Sequence, residues 1–134
     1  MDNKIKLEDA CLTVEQAKEL QALGVDMSDS IMAYCDYYDQ VHDYELLMNN
    51  NLSTPYAYEV VNTLTNTEML EMLPKKYIHS YEDYFFEISN NSLEEYLVLY
   101  KRYWDDTTST RFRSKLLRDS LFEIIKYLKS NKLI

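Results

Sequence analysis

Two sets of side chains have the types that bond chemistry requires. Cys35 and His42 are nucleophile and base for a thiol mechanism if a strand reversal joins them, but that mechanism also needs an activated thiolate, an oriented base and an oxyanion site. None of these has a local signature. Cys35 alternates with Ile31 and Ala33, the spacing of one face of a strand, and this assigns it a structural place in the core. His42, Asp43 and Glu45, with Asp36 or Asp39 across the reversal, are the nearest metal-ligand types. Structural zinc takes four Cys or His ligands and calcium a denser run of oxygens around a turn glycine, so these residues read as a solvated acidic turn. His79 has no spaced partner. Glu94/Glu95 and Asp105/Asp106 do acid–base work only where burial splits their protonation, and among 23 acidic residues such neighbours are expected to face water. A single glycine excludes a Gly-rich phosphate loop. We therefore expect no catalytic residue, no metal site and no cofactor.

Side chains suited to binding are more abundant. Thirteen tyrosines occur in 134 residues, and tyrosine supplies large contact area at little rotamer cost. Tyr34, Tyr37, Tyr38 and Tyr44 cluster around one predicted hairpin, while Tyr100 and Tyr103 precede a cationic stretch with Arg111, Arg113 and Arg118. These nine residues are the candidate interaction surface. The second cluster, read with Lys101, Arg102, Trp104 and Lys115, also has the composition of a nucleic-acid platform, aromatics for stacking and cations for phosphate.

The elements that position them follow from periodicity. Thr13 and Gln16 form a capping box for a helix that buries Val14, Ala17 and Leu20, and Gly24 supplies the left-handed residue that closes it. Residues 31–38 and 43–48 read as strands joined by Asp39 to His42. Ala33, Cys35 and Tyr37 then share one face; Met32, Tyr34, Asp36 and Tyr38 share the other. NNNLSTPYAYEVV reads as a loop because Pro55 lacks an amide hydrogen. Thr65 and Glu68 cap a short helix that Pro74 ends. A strand is expected over Tyr84 to Ile88, with a shorter extended piece over Tyr77 to His79. Residues 92–104 conflict: Ser92 and Glu95 suit a helix cap, whereas the Tyr, Val and Trp content of 96–104 favours a strand. TTST at 107–110 reads as a turn. Residues 115–130 form an amphipathic helix with Leu117, Leu121, Ile124, Ile125 and Leu128 on one stripe.

Charge narrows the partner. The formal charge of −9 argues against general attraction to nucleic acid or an anionic membrane. It is unevenly spread: residues 1–100 carry 5 Lys/Arg against 19 Asp/Glu, a net of −14, and residues 101–134 carry 9 against 4, a net of +5. The basic stretch suits docking on the acidic body, on another copy or on an acidic partner. Cys11 and Cys35 suit reduced, buried thiols, and the N-terminal residues lack a cationic segment followed by an apolar run, so a cytoplasmic location off the membrane is expected. The scarcity of glycine and proline leaves no linker, and one domain over 1–134 is expected.

In its order of elements the chain resembles small uncharacterised proteins of intestinal Bacteroidetes and their phages and prophages. The residues that carry the resemblance are EQAKELQALG at Glu15 to Gly24, MLP at Met72 to Pro74, and Leu116 to Ile134. It implies an α+β fold with an N-terminal helix, a short middle helix and a longer C-terminal helix on an antiparallel sheet, and it favours a strand from Tyr96 to Tyr103. It implies no catalytic or ligand residue, and the basic segment from Arg111 to Arg118 is longer than its pattern. The functional expectation is a non-enzymatic protein-interaction or assembly module, through a partner protein or a second copy. The alternatives are a nucleic-acid-binding module built on the basic quarter and an acidic mimic of nucleic acid acting on a host protein.

Overall fold

The computed structural model describes residues 6–36, 44–49, 59–91, 93–105 and 107–134. The fold is α+β, and its strands are divided between two antiparallel sheets. The chain falls into two compact units, Met1–Glu68 and Met69–Ile134.

The first unit opens with a 3-10 turn, Leu7–Ala10, and helix α1, Val14–Ala22. Thr13 and Gln16 make the expected capping box: the Thr13 amide donates to Gln16 Oε1 at 3.0 Å and the Gln16 amide to Thr13 Oγ1 at 3.1 Å. Two of the amide donors that a helix start leaves unpaired are thereby satisfied. Gly24 has φ 95°, and the Val25 amide reaches back to Leu20 O at 3.0 Å, closing the helix with a left-handed residue that carries no Cβ penalty. Ala17 and Leu20 are buried.

Strand β1, Met32–Asp36, is the middle of a three-stranded sheet, between β2, Glu45–Met48, and β3, Glu59–Thr63. The expected pairing of the first two strands is present, with Cys35 opposite Glu45 and Met32 opposite Met48. The reversal itself, including Tyr37, Tyr38, Asp39, His42 and Asp43, lies outside the described residues. All five residues of β1 are buried, so both of its faces are covered. Strand β3 corrects the expected loop: Glu59, Val60 and Val61 pair with Asp36, Cys35 and Tyr34. Two β-branched valines beside a buried central strand outweigh the upstream proline signal. Thr63, also buried, ties the sheet to the N-terminal segment by donating to Leu12 O at 2.9 Å.

Helix α2, Asn66–Met72, carries the second capping box, with the Thr65 amide 3.0 Å from Glu68 Oε1 and the Glu68 amide 3.2 Å from Thr65 Oγ1. The division between the units falls inside this helix, and Pro74 follows it. The second unit continues with β4, Lys76–His79, β5, Glu82–Asn90, β6, Tyr96–Arg102, and β7, Thr108–Ser114, in the spatial order β4-β5-β6-β7.

Residues 96–102 are strand. Of the suggested helix start, Ser92 lies outside the described residues, and Glu95 opens no helix: Asn91 Oδ1 accepts from the Leu93 amide at 2.9 Å and the Glu95 amide at 3.0 Å ahead of β6. The TTST segment is also corrected, since its Thr108, Ser109 and Thr110 begin β7. Helix α3, Leu117–Ser130, packs on β6 and β7. Leu121, Phe122, Ile124, Ile125 and Leu128 are buried on its inner stripe, each worth about 1.5–3 kcal/mol relative to exposure. Ser120 within that stripe is satisfied by donating to Tyr96 O at 2.8 Å.

Candidate interaction surface

Strand alternation gives the four-stranded sheet two unlike faces. Tyr77, Tyr84, Phe86, Val98, Tyr100, Thr110 and Phe112 fall on the first by register, and Phe112 lies 6.2 Å from Tyr127 of α3. Tyr77, Tyr84, Val98, Tyr100 and Thr110 are buried there. Tyr77 and Tyr84 stack at 5.4 Å and Tyr77 meets Tyr100 edge-on at 4.8 Å, offset arrangements that the ring quadrupoles favour. Both tyrosine hydroxyls at the centre are satisfied: Tyr77 pairs with Ser109, and Tyr100 donates to Pro74 O at 2.7 Å. Burial pushes both phenols above the ordinary tyrosine range.

The opposite face carries Lys76, Ile78, Asp83, Phe85, Glu87, Leu97, Leu99, Lys101, Arg111 and Arg113 by the same register. Tyr103 extends its middle row just beyond β6, with its ring 6.2 Å from Phe85. Ile78 is 66% exposed, Phe85 36% and Tyr103 85%. Phe85, Phe86, Glu87, Lys101 and Tyr103 line a concavity of about 620 Å3, and Lys101 pairs with Glu87 across it at 3.2 Å. This face holds four cations against two carboxylates in a chain of net charge −9.

At one end of the sheet the β4–β5 and β6–β7 connections come together, because Tyr84 pairs with Arg102. Trp104 is 68% exposed, yet it is held in place. Its Nε1 donates to Glu82 at 3.2 Å and Arg102 lies 4.8 Å over its ring, while Arg102 also binds Asp105 and Thr107. The Asp105 hydrogen bond holds the Arg102 guanidinium further toward its charged form. An exposed indole fixed in this way has already lost much of the freedom that binding would otherwise remove.

Of the expected surface residues, Tyr103, Arg111 and Arg113 meet on this one open face. Tyr100 is one strand position out of phase and wholly buried, and Tyr34 is buried in the other sheet, so neither presents a surface. Tyr44 belongs to a small cluster in the first unit, donating to Glu59 at 3.1 Å while Lys18 pairs with Glu59 at 2.9 Å. Arg118 lies on α3 and pairs with Asp119 at 3.2 Å. Cys35 has no exposed surface, and both Cys35 and Cys11 are buried thiols outside any disulfide. Among the described residues no three His, Cys, Asp or Glu side chains gather as metal ligands, and no helix is long and apolar enough to cross a membrane. Phe85 and Glu87 were missed; the signal for them is the odd-numbered phase of YFFE, which shows only once the buried phase is known. Family models, curated proteins and solved structures contain no match to the chain.

Proposed function

We propose that the chain is a non-enzymatic interaction module that binds a protein partner through the open face of its four-stranded sheet. The observation that carries this reading is the concavity that Phe85 and Tyr103 line on the open face, with Arg111 and Arg113 on the flanking strand. Trp, Tyr and Arg are the residue types that dominate binding energy in protein interfaces. Covering a tyrosine removes on the order of 150 Å2 from water, about 4 kcal/mol at 25 cal/mol/Å2 before the costs of association. The mixed charge of the face, with Asp83 and Glu87 among the cations, suits a polypeptide better than a phosphate backbone.

The test is affinity capture from the native host with two baits, the natural chain and a Phe85→Ser/Tyr103→Ala variant whose far-ultraviolet circular dichroism is unchanged. The expected result is a protein that the variant retains at about one tenth or less of the natural level, the effect of losing about 1.4 kcal/mol or more. Equal recovery of every protein, or recovery of nucleic acid as the main species, contradicts the proposal.

A further inference from the structure

Strand β7 ends its sheet, and among the described residues its outer edge makes no backbone hydrogen bond to another element. Seven residues at about 3.3 Å each give a row of amides and carbonyls about 23 Å long, the template on which another extended chain pairs. The one irregularity of β7 lies opposite Tyr100/Lys101, so the run from Thr110 to Ser114 is regular. It contains no proline to interrupt a new ladder. Phe112 and Thr110 turn toward the covered face, whereas Arg111 and Arg113 turn toward the open one and are exposed. Neither arginine makes an ion pair or side-chain hydrogen bond among the described residues.

We infer that β7 accepts an extended acidic segment of a protein partner as a fifth strand, with carboxylates at alternate positions of that segment meeting Arg111 and Arg113. This deepens the reading of the open face as a protein-binding surface and rests on it. Alternate positions on one strand lie about 6.8 Å apart, and they repeat at the same interval on a partner strand, so the period of two carries the specificity. Lys101 on the neighbouring strand is already paired with Glu87 and Lys76 lies on β4 at the opposite edge of the sheet, which leaves the two arginines as the charges that select along β7. A second copy is the wrong occupant at this edge, because antiparallel pairing of β7 with itself sets arginine beside arginine. Nucleic acid is disfavoured by Asp83 and Glu87 on the same face.

The probe is a seven-residue peptide in which glutamate alternates with valine and threonine. It is compared with an isomer whose glutamates are contiguous, with a version carrying lysine for glutamate, and with a single-stranded DNA oligonucleotide. The full chain is expected to bind the alternating acidic peptide about tenfold more tightly than its isomer, and amide exchange from Thr110 to Ser114 is expected to slow on binding. An Arg111→Glu/Arg113→Glu variant with unchanged circular dichroism should reverse the preference and bind the lysine peptide. Equal binding of the isomer, tighter binding of DNA, no change in exchange along β7 or no peptide binding overturns the inference. A partner captured through Phe85 and Tyr103 in the same circumstances would leave the broader proposal standing, so the two failures are distinguishable.

Discussion

Tyr100 has no exposed surface and donates its hydroxyl hydrogen to Pro74 O at 2.7 Å, fixing the chain just before β4 against the middle of the sheet. Tyr100→Phe keeps the ring and loses that bond, leaving a carbonyl without its donor, and is expected to cost about 1 kcal/mol in urea unfolding. The same residue predicts an alkaline limit. Its pKa and that of Tyr77 are raised by burial, so the stabilisation is fully present below the unfolded value of 10.0 and is lost as pH rises beyond it toward the folded values. Over that window Tyr100 contributes a slope that approaches about 1.4 kcal/mol per pH unit, and Tyr100→Phe should remove that contribution. Urea titrations between pH 9 and pH 11 read this directly; an unchanged slope in the variant would show that Tyr100 ionises freely in the folded chain. At this scale the sequence revealed tyrosine abundance but not its division into buried Tyr34, Tyr77, Tyr84 and Tyr100 and exposed Tyr81 and Tyr103. In a strand a shift of one residue exchanges the faces, so Tyr100 and Tyr103 separate only after the strand's phase and the face taken by α3 are known.

The hairpin between β4 and β5 is closed by two residues, Ser80 at φ 51° and Tyr81 at φ 66°. Both lie in the left-handed region, which a two-residue hairpin of this twist requires and which Asn-Gly occupies at least cost. Ser80→Asn with Tyr81→Gly is therefore expected to stabilise the fold by about 1 kcal/mol, measured by thermal and urea unfolding. Destabilisation would mean that the fully exposed Tyr81 ring contributes more than its backbone strain costs. This hairpin was half legible because its turn carries no glycine or asparagine. The capping boxes at Thr13 and Thr65 were fully legible, since reciprocal side-chain and backbone bonds over three residues need nothing from the rest of the fold. Ser92 and Glu95 have the same spacing, but Ser92 lies outside the described residues and the Glu95 amide that a box would use donates to Asn91 Oδ1 instead. Strand β3 escaped notice for a related reason: its valines are in strand phase only relative to β1, where Val60 pairs with Cys35 and Val61 with Tyr34, separations of 25 and 27 residues in sequence.

Across the whole chain, charge divides less sharply at the contact boundary than between residues 1–100 and 101–134, and the second unit as a whole is near neutral. Met1–Glu68 carries 3 Lys/Arg against 13 Asp/Glu, a net of −10, and Met69–Ile134 carries 11 against 10, a net of +1. Charge asymmetry was visible in the sequence, but its seam was not, because the boundary lies within α2 and neither glycine nor proline marks it. The near-neutral unit holds the open face with Phe85, Tyr103, Arg111 and Arg113, where an acidic partner meets less repulsion than the net charge of the chain implies. The most direct measurement places the photo-crosslinking residue p-benzoylphenylalanine at Tyr103 on this face, or at exposed Glu123 on α3, in the native host. The expected result is a discrete protein adduct from position 103 that is absent from position 123. Equal adducts at both positions, an adduct to nucleic acid at position 103, or no adduct there would contradict the assignment of the open face as the protein-binding surface.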